Sequence, residues 1–282
     1  WFPMLDVRVP DLLPSDSVRP AGQVSDEATR HRSDPPSSSS AVPALLPADA
    51  PDLPGVLLLD ALWPSRDRRH QLWYGELRRG PNGHLAVVDG REAVEKALRL
   101  SEAGSDCYFA CAEYLTPDSR TAANASGAWA FWMDLDCGPE KVAAGKGYSD
   151  ASVADAAVAR FCDVTGIPRP THCSESGGGL HVFWAVDRCV GVSDWQIHAR
   201  QLKALTQRLC LLADPTRTAD IASLLRIPGT FNHKYTPRRP VLLVRAGPPL
   251  DCDAMLRAVS DAHLRTVGAP ATESPSPKDT GV

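Results

Sequence analysis

The 282-residue chain has no CxxC pair, no long apolar run and no excess of basic residues. Its eight cysteines (Cys107, Cys111, Cys137, Cys162, Cys173, Cys189, Cys210 and Cys252) are scattered, which argues against a zinc ribbon or a thioredoxin-like redox motif. Free thiols in a reducing cytosol are expected instead. No apolar stretch reaches the ~18 residues that suggest a bilayer span, so no membrane partner is expected. The first residues lack a charged segment followed by an apolar one, so no secretory signal is read there. The chain opens on Trp1, which suggests a piece of a longer protein. With a formal net charge of −4, no overall basic field draws in nucleic acid. A polyanion site must then be a local patch. The strongest candidate is the stretch from Arg226 to Arg245, where Arg226, Lys234, Arg238, Arg239 and Arg245 occur without an intervening carboxylate.

Ten of the 25 prolines lie in the first 54 residues, together with the run Ser37-Ser38-Ser39-Ser40. Such a segment cannot bury enough apolar surface to offset chain ordering, so residues 1–55 read as a disordered tail. Residues 266–282 read as a second one. The folded part is then 56–265, a single domain. Within it, a strand at Gln71–Leu77 enters a hairpin around Pro81-Asn82-Gly83, and Glu92–Ala103 is a helix. Cys107–Tyr114 and Ala128–Asp136 are apolar strands. A helix over Ser149–Val164, capped by Ser149, presents Val153, Ala157, Phe161 and Val164 and ends at Gly166. His172–Ser176 and Leu180–Val186 form a hairpin across three glycines. Ser193–Leu212 is the longest helix, capped by Ser193. A short strand at Val241–Arg245 and a helix at Cys252–Arg265 complete a mixed α+β pattern.

Three stretches carry chemistry. In Trp132-Met133-Asp134-Leu135-Asp136, strand alternation puts both carboxylates on one face, with Cα atoms ~6.7 Å apart. Two like charges so placed repel unless a cation lies between them, and Mg²⁺ or Mn²⁺ would relieve the repulsion. Taken alone, the pattern equally fits two surface aspartates at a strand end, or a glycosyltransferase or phosphatase. In Ser176-Gly177-Gly178-Gly179-Leu180-His181, a histidine opens a strand after glycines whose backbone N–H groups suit phosphate oxygens. A histidine beside glycines is more often a turn neighbour than a ligand. The third stretch runs from Asp214 to Lys234. Its Pro228-Gly229 suits a type II turn, which would hold Arg226 and Lys234 on one side of the sheet. Asp214 would end the long helix and supply a third carboxylate; Asp220 competes for that role.

The order of these motifs resembles the archaeo-eukaryotic primase (primase-polymerase) superfamily. The closest likeness is to the RepB-like replicative primases of plasmids, phages and integrated elements, over about residues 70–245. One departure is that many relatives carry Ser two residues before the histidine, where this chain has Gly179. The resemblance implies an RRM-like palm sheet packed with a smaller N-terminal α/β module. It also implies a two-metal site, with Mg²⁺ or Mn²⁺ held by Asp134, Asp136 and Asp214. Nucleotide phosphates would be contacted by His181, Ser176, Arg226 and Lys234.

The activity so implied is template-directed nucleotidyl transfer that makes or extends primers on single-stranded DNA. Its substrates would be dNTPs or NTPs, a replicative helicase is a possible partner, and the place of action is the cytoplasm, at the nucleoid during replication. Two other readings compete: a non-catalytic replication-initiation module that binds DNA with the same fold, and a nucleotide-sugar transferase using the same Asp-x-Asp.

Overall fold

The computed structural model describes residues 53–64, 70–75 and 83–268. Most of the tails expected at 1–55 and 266–282, namely 1–52 and 269–282, and the hairpin tip at Pro81-Asn82 lie outside these residues. Helix α1 (Pro54–Leu62) begins with Pro at its first turn, where a missing N–H costs nothing, so 53–55 belong to the fold. At the other end, the last helix runs through Thr266.

Two antiparallel sheets organise the chain. The first has four strands in the order β2 (Gly83–Val87), β1 (His70–Gly75), β3 (Asp106–Ala110) and β8 (Leu224–Arg226). One face is apolar, through Leu72, Phe109 and Leu225, and is closed by α1 and by α2 (Gly90–Glu102). Asp89 caps α2 by accepting a hydrogen bond from the Glu92 amide, while the Glu92 carboxylate accepts from the Val88 amide. Ala93, Val94 and Ala97 form the buried stripe of α2, as its spacing predicts.

The second sheet has five strands: β11 (Leu242–Arg245), β6 (His172–Glu175), β7 (Gly179–Gly191), β5 (Ala125–Asp136) and β4 (Glu113–Tyr114). Trp184, whose indole donates to the Pro168 carbonyl, marks the face covered by α4 (Ala151–Thr165). Helices α5 (Val192–Arg208) and α7 (Cys252–Thr266) pack with it. On the opposite face, Phe183 meets Phe109 of the first sheet with ring centroids 6.0 Å apart. The carboxylates of β5 therefore lie on the face turned toward the first sheet, with the Asp134 side chain 24% and the Asp136 side chain 40% exposed. Short helices α3 (Pro139–Ala143) and α6 (Pro215–Thr218) follow β5 and α5, and a small ribbon pairs β9 (Phe231–Asn232) with β10 (Arg239–Pro240).

Four expectations are corrected. The run Cys107–Tyr114 is not one strand: it bends at Cys111-Ala112, so that β3 pairs in the first sheet and β4 in the second. Asp150, not Ser149, caps α4, accepting from the Ser152 and Val153 amides. The buried stripe of α4 is Ala154, Val158, Phe161 and Cys162, which leaves Val153 44% and Val164 64% exposed. Finally, α5 starts at Val192 without a side-chain cap and ends at Arg208, so Asp214 does not end it.

All eight cysteines are free. Burial pushes the thiols of Cys107, Cys162 and Cys173 up to about 12, which marks them as packing groups. Among the described residues no helix is long and apolar enough to cross a membrane.

Glycine at 179 follows from the sheet itself. A Cβ there would lie 2.3 Å from the Leu135 carbonyl oxygen on the neighbouring strand. Gly179→Ala is expected to destabilise the protein by about 1–3 kcal/mol, read as a lower midpoint in urea unfolding. An unchanged midpoint would contradict this packing.

Candidate active site

The pairing of β5 with β7 places Asp134 directly opposite His181, and Asp136 opposite Gly179. Strand alternation puts the two carboxylates on one face, and the cross-strand pair brings the imidazole beside the first of them. His181 Nε2 lies 3.6 Å from Asp134 Oδ1, and its Nδ1 is buried without a hydrogen-bond partner. An open cleft of about 280 Å³ lies over this row, lined on the acidic side by Asp134, Asp136 and His181. Arg217, Arg226 and Lys234 line it as well, joined by Tyr108, Ser176 and Tyr235.

The third motif reaches the cleft through a turn. Gly229 has φ +96°, the left-handed conformation glycine tolerates, and its amide donates to the Val241 carbonyl. The turn thus returns the chain from β8 to β9, and Arg226 and Lys234 both reach the cleft. Asn232 fastens the ribbon by donating to the Ser176 carbonyl at 2.8 Å. Arg226 is not a loose cation. It bonds Asp106 at 2.5 Å and the Tyr108 hydroxyl at 3.1 Å, with its guanidinium 4.8 Å from the Tyr108 ring. Asp106 also accepts from the His233 amide.

The rest of the basic stretch is largely engaged. Arg238 pairs with Glu102, Arg245 pairs with Asp155, and Arg239 lies over Tyr235. Lys234 has no side-chain hydrogen bond or ion pair among the described residues, nor does Arg217. Those two are the available cations.

The acids carry the electrostatic cost of the site. The Asp134 carboxyl is pushed up to about 7, first by burial and then by the charges of Asp136 and Asp214. Asp136 takes the Lys141 ammonium of α3 at 2.6 Å. Burial, with help from Arg226 and Arg217, pushes His181 down to about 3. His181 is therefore neutral near pH 7. It can donate a hydrogen bond to a phosphate oxygen, but in the nucleotide-free protein it adds no positive charge.

Asp214 takes a different place from the one its sequence position suggests. It caps α6, accepting from the Thr216 and Arg217 amides, while its own amide donates to the Asp134 carbonyl at 2.8 Å. Its charge is felt at Asp134, whereas that of Asp220 is felt at Cys111 and Tyr114. Asp214 is thus the nearer of the two candidates. Among the described residues no three acidic, histidine or cysteine side chains are arranged to hold a metal. A divalent cation fits the Asp134–Asp136 pair, because it would relieve the repulsion that raises Asp134.

Arg217, Lys141 and the Asp106–Tyr108 support of Arg226 were not singled out in the sequence. For Arg217 there was a signal: it falls three residues after Asp214, inside the first turn that Asp214 caps.

With this geometry in view, the comparisons define a fold class. The chain is similar to the AEP domain of the Cyanophage S-2L primase-polymerase, with a TM-score of 0.51 and 16% identity over 68% of this chain and 89% of that one. It is also similar to primase RepB′ (TM-score 0.45, 16% identity, 70% of this chain and 58% of that one). A further similarity is to the polymerase domain of Mycobacterium tuberculosis Ligase D in complex with DNA (TM-score 0.40, 15% identity, 77% and 90%). No protein-family model matches the chain, and no curated protein matches it by sequence. The first likeness shows the fold, that of an archaeo-eukaryotic primase-polymerase domain.

Two expected outcomes follow from the charges. A carboxyl raised from 3.8 to about 7 destabilises the fold progressively as pH rises from 4 to 7, and by a constant amount above that. Asp134→Asn should therefore stabilise the metal-free protein against thermal unfolding little at pH 4 and most above pH 7, by up to roughly 4 kcal/mol. A melting difference that does not change with pH would exclude it. Asp106→Ala leaves Arg226 buried without its partner and should cost about 3–5 kcal/mol in urea unfolding. A loss below about 1 kcal/mol, typical of an exposed ion pair, would show that the pair is not structural.

Proposed function

We propose that this chain is a DNA primase-polymerase: a template-directed, metal-dependent nucleotidyltransferase that makes or extends primers on single-stranded DNA. The observation that carries the reading is the Asp134–His181 pair, with Asp136 one step along the strand, facing Arg217, Arg226 and Lys234 across one cleft. Acids suited to a metal and cations suited to a triphosphate then line one cleft. The five-stranded sheet serves as the palm, and the four-stranded sheet with α1 and α2 is the smaller module.

Asp134 and Asp136 would hold Mg²⁺ or Mn²⁺, which when bound activates the primer 3′-hydroxyl and stabilises the leaving pyrophosphate. Asp214, one hydrogen bond from β5, adds negative charge to that place. Lys234 and Arg217 are positioned to neutralise the triphosphate of a dNTP or NTP as the bond breaks. The Asp106–Tyr108 support pre-orients Arg226 for the same task, so little ordering remains when nucleotide arrives. His181, kept neutral, donates to a phosphate oxygen, and Ser176 lies within the same rim. Replication of a plasmid, phage or integrated element in the cytoplasm, beside a replicative helicase, is the setting this activity fits.

The test is dNTP and NTP incorporation on a defined single strand with Mg²⁺ or Mn²⁺. Asp134→Ala and Asp136→Ala are each expected to reduce incorporation by at least ~100-fold with the fold intact by circular dichroism. Wild-type incorporation in both variants would refute the proposal. One observation favours a second reading, a non-catalytic initiation module: the Asp214 carboxylate is committed to capping α6. Tight duplex binding without any metal-dependent synthesis would decide for that module.

A further inference from the structure

The face of the four-stranded sheet away from α1 and α2, partly covered by the loop that carries Pro117, Ser119 and Arg120, holds a row of side chains that runs into the nucleotide site. Cross-strand register sets His84 of β2 opposite Trp73 of β1, Trp73 opposite Tyr108 of β3, and Tyr108 opposite Arg226 of β8. Directly paired residues in an antiparallel sheet point to the same side, so all four stand on one face. The other face is the apolar one, closed by α1 and α2, as the burial of Leu72, Phe109 and Leu225 shows. The row spans three inter-strand gaps, ~14 Å.

His84 and Trp73 lie 4.6 Å apart at an interplanar angle of 20°. The Arg120 guanidinium sits 5.2 Å from the Trp73 ring, and that of Arg226 lies 4.8 Å from the Tyr108 ring. Arg120 is held by the Ala222 carbonyl at 2.7 Å and has no carboxylate partner among the described residues. The Trp73 indole donates to Gln71, which is in turn tied to the Ser119 carbonyl, so the ring is fixed in place. Trp73, His84 and Tyr108 all remain partly exposed. Trp73 stands on the face away from α1 and α2, and the loop that carries Pro117, Ser119 and Arg120 covers part of it, with the Pro117 carbonyl 3.1 Å from His84 Nε2. The row ends in the cleft, because Tyr108 and Arg226 line it beside Asp134.

Aromatic rings interleaved with fixed cations match single-stranded nucleic acid, whose bases stack on rings and whose phosphates seek positive charge. We propose that this row is the platform for the single-stranded DNA template. The strand crosses the sheet from the His84 edge to the cleft, with bases against Trp73 and Tyr108 and backbone beside Arg120. The identity of the strand as template rests on the nucleotidyl-transfer reading above.

Fluorescence anisotropy with a labelled 20-nucleotide single strand tests the platform, in the absence of nucleotide and metal. Trp73→Ala is expected to weaken binding at least ~5-fold, while Trp73→Phe, which keeps a ring, retains most of it. Arg120→Gln, on a surface loop, should reduce the slope of log affinity against log salt by about 0.7. A duplex of the same sequence should bind more weakly than the single strand. Binding by Trp73→Ala within twofold of wild type would overturn the proposal, as would equal losses in the Ala and Phe variants. So would an unchanged salt slope in Arg120→Gln, which stands even if Trp73→Ala fails to fold. Because these measurements need neither metal nor nucleotide, a failed incorporation assay would remove the enzymatic reading and leave the binding result standing.

Discussion

The pairing of β5 with β7 is the constraint on which the site depends. It fixes Asp134 against His181 and Asp136 against Gly179 in one register, and a one-residue slip would send both acids to the helix-covered face. Gly179 holds that register closely, since even a methyl group there would collide with the Leu135 carbonyl. The neighbours of this pair all answer its cost. Lys141 meets Asp136, the amide of Asp214 ties the following loop to Asp134, and the cationic rim faces both carboxylates.

A nucleotide-free protein with such a site holds charge in tension. Burial and neighbouring carboxylates raise Asp134, while burial and neighbouring guanidiniums lower His181. Both shifts favour neutral forms, and both would reverse when cations meet the acids and phosphates meet the bases. The cleft is thus better suited to its ligands together than to either alone. The rigid support of Arg226 by Asp106 and Tyr108 contrasts with the unpaired Lys234, so one cation is fixed and the other is free to follow the ligand.

Much of this was legible in the residue order. The Asp-x-Asp strand, the glycine turn before His181 and the Pro-Gly bend after Arg226 each have a local signature, and all three meet at one cleft. The α+β class followed from mixed periodicities, and the positive φ of Gly229 from its turn. Long-range pairing was not legible. Arg226 finds Asp106 across 120 positions, and no spacing rule announces that partner. Asp214 misled because it follows a helix and precedes another, and Pro215 makes it the start of the second. In α4 the expected Phe161 is buried, but Ala154, Val158 and Cys162 take the places given to Val153, Ala157 and Val164.

The bend at Cys111-Ala112 carries one more implication. It passes the backbone directly from the four-stranded sheet to the five-stranded one, with the Cys111 amide donating to the Ser223 carbonyl beside β8. The walls of the cleft are therefore joined by a two-residue joint that is buried and held to the Ser223 carbonyl. Their separation is set like the gap of a caliper at its pivot, so small changes at Cys111 or Ala112 would be magnified where Arg226 faces Asp134.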